Sequence, residues 1–480
     1  MTGEGAVARD VAAVVGGTVV TPEGLRRADV LISDGKIAAI AEPGSAGRTG
    51  LDARLDAEGC YVLPGGVDPH CHLMSQVHLA TAAAARGGTT TALSFTNPEP
   101  GQGDLESLLR RRDQLGRGDA VIDVGLHAML YDPQRATFAD LAAARRAGAA
   151  AVKVFLAYPE LGIMFSTRQL HRLMTDARQA GLVVQVHCEN GPLIEELVAD
   201  AVRSGRRGEH VFADTRPPEV EEEAVARTLA VASLTGATCY LVHLSTAGAL
   251  DQVRLARKRG RPAVYAEVCL HHLLLDDGRY AGPAATRFLV APPLRARDQV
   301  EALWEAVADG TVDAIGSDHC QTRSAVLDDI AVPGQSYEYG IAGIGARLPL
   351  LLSEGLRRGL PVERLVQLAA QNPARVFGHY PRKGALAPGS DADIAAFHPD
   401  GEAVLGADAF DDGTGHSVYA GLRVRGQMRA VLLRGRLIAE DGMLAPQPRQ
   451  GRYLSATPSQ SLRSPLSTRS SSVTSGPPCP

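Results

Sequence analysis

The chain reads as an α/β protein: a parallel (β/α)8 barrel of the TIM type, with a small β-sandwich domain built from both chain ends. Three observations predict this. Short, near-continuous apolar runs alternate with helical periods through the middle of the chain, as expected for a parallel sheet buried on both faces. Polar residues recur at the C-terminal ends of those runs, the rim where barrels of this type carry their sites. Strand-and-turn texture without a helical period occupies both ends of the chain. A doubly wound open sheet is the competing arrangement, but the glycine-rich nucleotide loop expected after its first strand is missing. The divisions read as 11–57 and 385–453 for the sandwich, 58–384 for the barrel, and 454–480 for a disordered tail.

Taken in order, residues 1–10 read as a loose tail, followed by strands Ala13–Val15, Thr18–Val20, Ala28–Ile32 and Lys36–Ile40. Ser33-Asp34-Gly35 between the last two is a hairpin signal. Glu58–Leu63 is β-type and leads into Pro64-Gly65-Gly66-Val67-Asp68-Pro69-His70-Cys71-His72. In an extended strand residues i and i+2 share a face, so His70 and His72 point together. Further on, Leu141–Ala147 is helical up to Gly148, and the strand Ala151–Phe155 carries Lys153. Ser166 caps a helix bearing Leu170, Leu173, Met174 and Ala177, stopped by Gly181; the strand Leu182–Val186 then ends at His187. The same unit repeats twice. Helix Glu221–Thr235, Gly236 and strand Thr238–Val242 end at His243; helix Asp298–Asp309, Gly310 and strand Thr311–Ile315 precede Asp318. Near the C-terminus, Ala392–Phe397 and Arg429–Ile438 are the clearest strands, and Thr457–Pro480 is rich in Ser, Thr and Pro.

Composition narrows the function. The net charge of −5 and dispersed basic residues leave no nucleic-acid footprint. The apolar stretch Val11–Val20 is too short to span a bilayer and lacks a basic leader and cleavage site, so no membrane partner is expected. Seven cysteines (60, 71, 188, 239, 269, 320 and 479) are odd in number and scattered, and read as reduced thiols of a cytoplasmic protein.

The strand-end residues are His70, His72, Lys153, His187, His243 and Asp318. Singly, each has an ordinary explanation: a lone strand-end histidine is more often a rim residue than a ligand, and Asp318 could cap a helix. Lys153 is stranger, since a buried ammonium is costly without a partner. Jointly, four imidazoles, a carboxylate and a buried amine on one rim suit two divalent cations.

This order of HxH, strand Lys, His, His and Asp resembles the amidohydrolase superfamily, and within it the dihydropyrimidinase/hydantoinase family of cyclic amidases. The likeness runs from about Val14 to Tyr453 and includes Gly87-Gly88-Thr89-Thr90-Thr91, Val152-Lys153-Val154-Phe155-Leu156-Ala157-Tyr158, Val186-His187-Cys188-Glu189-Asn190-Gly191, Val242-His243-Leu244-Ser245-Thr246 and Gly316-Ser317-Asp318-His319-Cys320. The resemblance implies hydrolysis of the ring amide of 5,6-dihydropyrimidines or 5-substituted hydantoins to N-carbamoyl amino acids. It also implies two divalent metal ions, usually Zn2+, bridged by carboxylated Lys153. His70, His72 and Asp318 would hold one ion, and His187 and His243 the other. Asp318 would carry the proton to the leaving nitrogen, Tyr158 would stabilise the oxyanion, and the positions of Ala291 and Tyr339 would contact the substrate, largely through backbone. Family members are usually homotetramers. Dihydroorotases resemble this layout but have an arginine where this chain has Met74, and allantoinases lack the tyrosine that Tyr158 supplies. Relatives that lose metal ligands act as cytoskeleton-associated scaffolds, whereas every ligand position is filled here. The chain departs from the family at a short loop spanning Leu73–Arg86, at Ala291 in place of Ser, at Tyr339 in place of Asn, and at Gly345 in place of Glu.

Overall fold

The computed structural model describes residues 9–457 apart from 49, 51–52, 74–75, 100–101, 135–136, 261–262, 283, 321–338 and 447–448. Its centre is a parallel barrel. The strands run in chain order from the first, Gly66–His72, through Thr89–Phe95, Asp123–Met129, Ala151–Phe155, Val183–His187, Cys239–Leu241 and Val264–Cys269 to the eighth. The eighth is interrupted. Its first piece, Ala314–Gly316, pairs with the seventh strand, and its second, His319–Cys320, pairs with the first at Cys71 and His72. The two residues between them, Ser317 and Asp318, are therefore where the sheet closes on itself. Strands two to seven are buried along their whole length, which explains their near-continuous apolar sequence.

The helices follow local signals. Thr167–Ala180 begins at a capping box in which Ser166 and Gln169 satisfy each other's backbone N–H, and it ends at Gly181 with φ +69°. Phe138–Arg146, Pro218–Thr235 and Arg297–Ala308 occupy the three other predicted helices. One expectation fails: of the Leu73–Arg86 stretch, Val77–Arg86 is a helix, not loop. Four consecutive alanines, Ala82–Ala85, together with Ala80 and Thr81, bury that helix against the barrel. Small, high-propensity residues make it both helical and closely packed. Met74 lies outside the described residues.

Two further sheets hold both chain ends. One has the order Lys36–Ala41, Asp29–Ser33, Ala13–Val15, Arg54–Asp56; the other runs Met443–Leu444, Arg436–Glu440, Arg423–Leu433, Ile394–Val404, Tyr61–Pro64, Thr18–Thr21, Gly24–Arg27. Val14, Val30, Ile37, Val62, Ile394 and Leu432 share one apolar core across them. The stretch Arg429–Ile438 is not one strand. Arg434 and Gly435 both take positive φ, +50° and +76°, and turn it into a hairpin. Tyr61–Pro64 belongs to the terminal sheet, and the chain passes into the barrel at Gly65, where a Cβ would collide with the Thr90 side chain. At the other end, Tyr453–Leu454 adds to the third barrel strand and Ala456 is buried, so order extends past 453; residues 458–480 lie outside the described part. Asp10 bridges to Arg436, while 1–8 also lie outside.

Candidate metal centre and active site

The six strand-end residues share one cavity of about 320 Å³, which Tyr158, Ala291 and Tyr339 also line. His70 and His72 lie on one face of the first strand, and Asp318 reaches them from the break in the eighth. Asp318 Oδ1 is 2.8 Å from His70 Nε2 and 3.6 Å from His72 Nε2. One atom from each of the three lies within 4.8 Å of the others. The His187 and His243 rings stack edge to face with centroids 4.6 Å apart, and His243 lies 5.5 Å from His70. Three residues of the cavity hold strained, left-handed backbone: Tyr158 (φ +64°), His243 (φ +39°) and Asp318 (φ +45°). Such conformations cost roughly 1–3 kcal/mol each and persist only where packing over-determines them.

Two carboxylates to which the sequence alone assigns no role orient the imidazoles. Glu267, buried in the seventh strand, accepts from His70 Nδ1 at 2.6 Å, from the Tyr240 hydroxyl at 2.7 Å and from the His243 backbone N–H at 3.2 Å. Glu189 lies 2.7 Å from His187 Nε2. With those nitrogens taken, His70 presents Nε2 and His187 presents Nδ1 to an ion, the arrangement by which outer carboxylates fix a ligand's tautomer. A fully buried acid inside an apolar strand was the available signal for Glu267, the same oddity that marks Lys153.

The electrostatics suit ligands. Burial pushes His72 down to about 4 and lowers His187 and His243, leaving neutral imidazoles. Burial would also lower His70, but Asp318 and Glu267 outweigh it and hold it up at about 9. Lys153 is buried between Phe95 and Phe155, its Nζ 5.2 and 5.4 Å from their ring centroids, with no carboxylate within ion-pair distance among the described residues. Burial lowers its amine to about 8. The donor set, nitrogen and oxygen only, fits divalent first-row cations. His70, His72 and Asp318 make a three-donor cluster, whereas His187 and His243 stand as a pair that lacks a third donor of its own.

Tyr158 follows the fourth strand and puts its ring 5.2 Å from that of His187. Its hydroxyl is 3.3 Å from that of Tyr339. Ala291 precedes Pro292 and contributes to the opposite wall with Val290. A larger groove, about 960 Å³, adjoins this cavity through Tyr131, Leu161 and Ile163 but contains none of the six strand-end residues. Of the two, only the smaller cavity collects the six strand-end residues.

A closed parallel barrel with this cluster at its C-terminal rim defines a metal-site barrel enzyme class. Comparison with known proteins makes the class specific: the family model described as "Amidohydrolase family" matches residues 61–438. D-hydantoinase of Ralstonia pickettii is 35% identical over 457 residues, covering 91% of this chain and 97% of that one. D-hydantoinase of Geobacillus stearothermophilus is 33% identical, covering 91% and 95%. The crystal structure of dihydropyrimidinase from Brevibacillus agri NCHU1002 superposes with a TM-score of 0.86 at 32% identity, covering 93% and 99%. The chain belongs to the amidohydrolase family, in its hydantoinase/dihydropyrimidinase group.

Proposed function

We propose that the chain opens the ring amide of 5,6-dihydropyrimidines or 5-substituted hydantoins by hydrolysis, releasing N-carbamoyl amino acids. The observation that carries this is the convergence of His70, His72, Lys153, His187, His243 and Asp318 with Tyr158 on one cavity. Its volume falls within the usual range of small-molecule sites, roughly 300–1,000 Å³. Relatives named for hydantoins and dihydropyrimidines over nearly their whole length support the substrate class.

In this reading His70, His72 and Asp318 would hold one divalent cation and His187 and His243 would hold a second. Lys153, with its amine lowered towards neutrality, would react with CO2 to form a carbamate, releasing a proton, and its oxygens would then serve as metal donors. When bound, the two cations, Zn2+ by family resemblance, would polarise the scissile carbonyl and acidify the attacking water. Burial opposes the ionised Asp318, but His70 and His72 hold its carboxyl well below the usual range, so it stands ready to accept a proton. Its Oδ atoms then pass that proton to the ring nitrogen as the C–N bond breaks. Tyr158, whose phenol burial keeps protonated, donates a hydrogen bond to the carbonyl oxygen as charge develops there. Ala291 and Tyr339 border the ring.

Cytoplasmic residence and a homotetramer belong to the same proposal. Cys60, Cys71, Cys188, Cys239 and Cys269 are buried free thiols, which supports a reducing compartment. No helix among the described residues is long and apolar enough to cross a membrane. Metal analysis of purified protein together with turnover of dihydrouracil and a panel of hydantoins tests the reading. Close to two metal equivalents with ring opening is expected. A metal-loaded protein inert on every ring would remove the substrate assignment, and a protein that binds no metal would remove the centre.

A further inference from the structure

We propose that Tyr339 is a catalytic residue: its hydroxyl and that of Tyr158 form a two-donor oxyanion site. This rests on the ring-opening reading and on the role given there to Tyr158. The two phenols enter the cavity from separate parts of the chain, and their oxygens lie 3.3 Å apart. An oxygen placed about 2.7 Å from each, the usual O–H···O distance, accepts from both.

The bond that joins the phenols in the free chain is long for a hydroxyl pair and joins two neutral groups. Exchanging it for charge-assisted bonds to a developing oxyanion therefore gains strength at little cost. Neither ring has to travel. Tyr339 packs edge to face on Phe212, with centroids 5.0 Å apart. Phe212 is itself fully buried and covered by the Arg216 guanidinium, 4.0 Å from its centroid. Tyr158 is held from the other side, in left-handed backbone between Phe155 and His187. A phenol's ordinary pKa of about 10 leaves both groups protonated near neutral pH, so both remain donors. Arg216 stays charged behind them; burial would lower it, but the facing groups, the Glu189 carboxylate among them, outweigh that. Donors fixed in place before the reaction are what stabilise a tetrahedral intermediate most.

Two other roles are open to Tyr339, and the same experiment separates them: a wall that only crowds the ring, or a relay that acts through Tyr158. Kinetics of the metal-loaded wild type, Tyr158→Phe, Tyr339→Phe and the double variant should be measured on dihydrouracil and a hydantoin. Metal content and the Kd of a cyclic phosphonamidate, which mimics the tetrahedral anion, should be measured in parallel. Tyr339→Phe is expected to lower kcat by about 100-fold, to leave KM and metal content nearly unchanged, and to weaken the phosphonamidate in proportion. The double variant should lose close to the product of the single losses. Wild-type kcat in Tyr339→Phe overturns the proposal in favour of a wall. A double variant no worse than Tyr158→Phe overturns it in favour of a relay. If Tyr158→Phe itself keeps full turnover, the underlying assignment of Tyr158 fails instead.

Discussion

His70 and Asp318, 248 positions apart in the chain, meet with Nε2 2.8 Å from Oδ1 across the seam that closes the barrel. Asp318 sits in the break of the eighth strand and keeps a low pKa because His70 and His72 face it. Asp318→Asn preserves size and removes the charge. Turnover should fall by about 10²–10⁴-fold, the usual worth of a positioned acid or base. Steady-state kinetics with circular dichroism checks this, and a folded Asp318→Asn protein with near-normal kcat would exclude the proton-carrying role.

Lys153 has no carboxylate within ion-pair distance among the described residues, so replacing it should cost the fold little. Lys153→Met keeps the apolar stem between Phe95 and Phe155 and should leave Tm within a few degrees, while bound metal drops and activity disappears. Mass spectrometry of the intact wild type, kept in bicarbonate, should show an added carbamate. Full turnover in Lys153→Met would contradict the bridging role.

Glu267 fixes His70, His243 and Tyr240 at once. Removing its charge in Glu267→Gln should weaken metal binding by about 10- to 100-fold, as loss of an outer carboxylate does elsewhere. Competition with a chelator measures it. Metal affinity equal to wild type would show that packing alone orients these imidazoles.

Lys383 anchors a buried acidic cluster between the barrel and the terminal sheets, 2.6 Å from Asp123, 2.7 Å from Asp393 and 3.0 Å from Asp391. Against the pull of burial, Asp123 and Asp391 are held below 3.8 and Lys383 above 10.5. The two acids therefore stabilise the fold above about pH 4 and lose that contribution as pH falls through their lowered values. Lys383 stabilises it below pH 10.5 and loses its part as pH rises further. Asp393, raised chiefly by burial, works in the opposite sense to its neighbours. Lys383→Met strands buried carboxylates and should cost about 3–5 kcal/mol near pH 7. Its Tm deficit should narrow on acidification, because protonation relieves the repulsion and wild type loses its own pairing. A deficit independent of pH would point to packing instead.

Much of the barrel was legible because its causes are local. Ser166, Gln169 and Gly181 bound their helix within a few residues of sequence, and the period-two spacing of His70 and His72 sets their common face. Alternating apolar runs located the strands bearing Lys153, His187 and His243. Two stretches depart from expectation, both through local signals masked by their surroundings. The Arg434-Gly435 turn was hidden inside an apolar run that could have continued as one strand. Val77–Arg86 was compared with a loop, although its alanines favour a helix packed on the barrel.

The sequence by itself determined the alternation of strand and helix, the helix caps and which residues end the strands, since short-range sterics, hydrogen bonding and side-chain periodicity act between near neighbours. Only the tertiary structure decided that the eighth strand breaks at Ser317 and Asp318 to close the barrel, that Glu267 braces two histidines, and that Tyr339 faces Tyr158. Each of those depends on groups brought within bonding distance from remote parts of the chain, and no local spacing encodes such a distance.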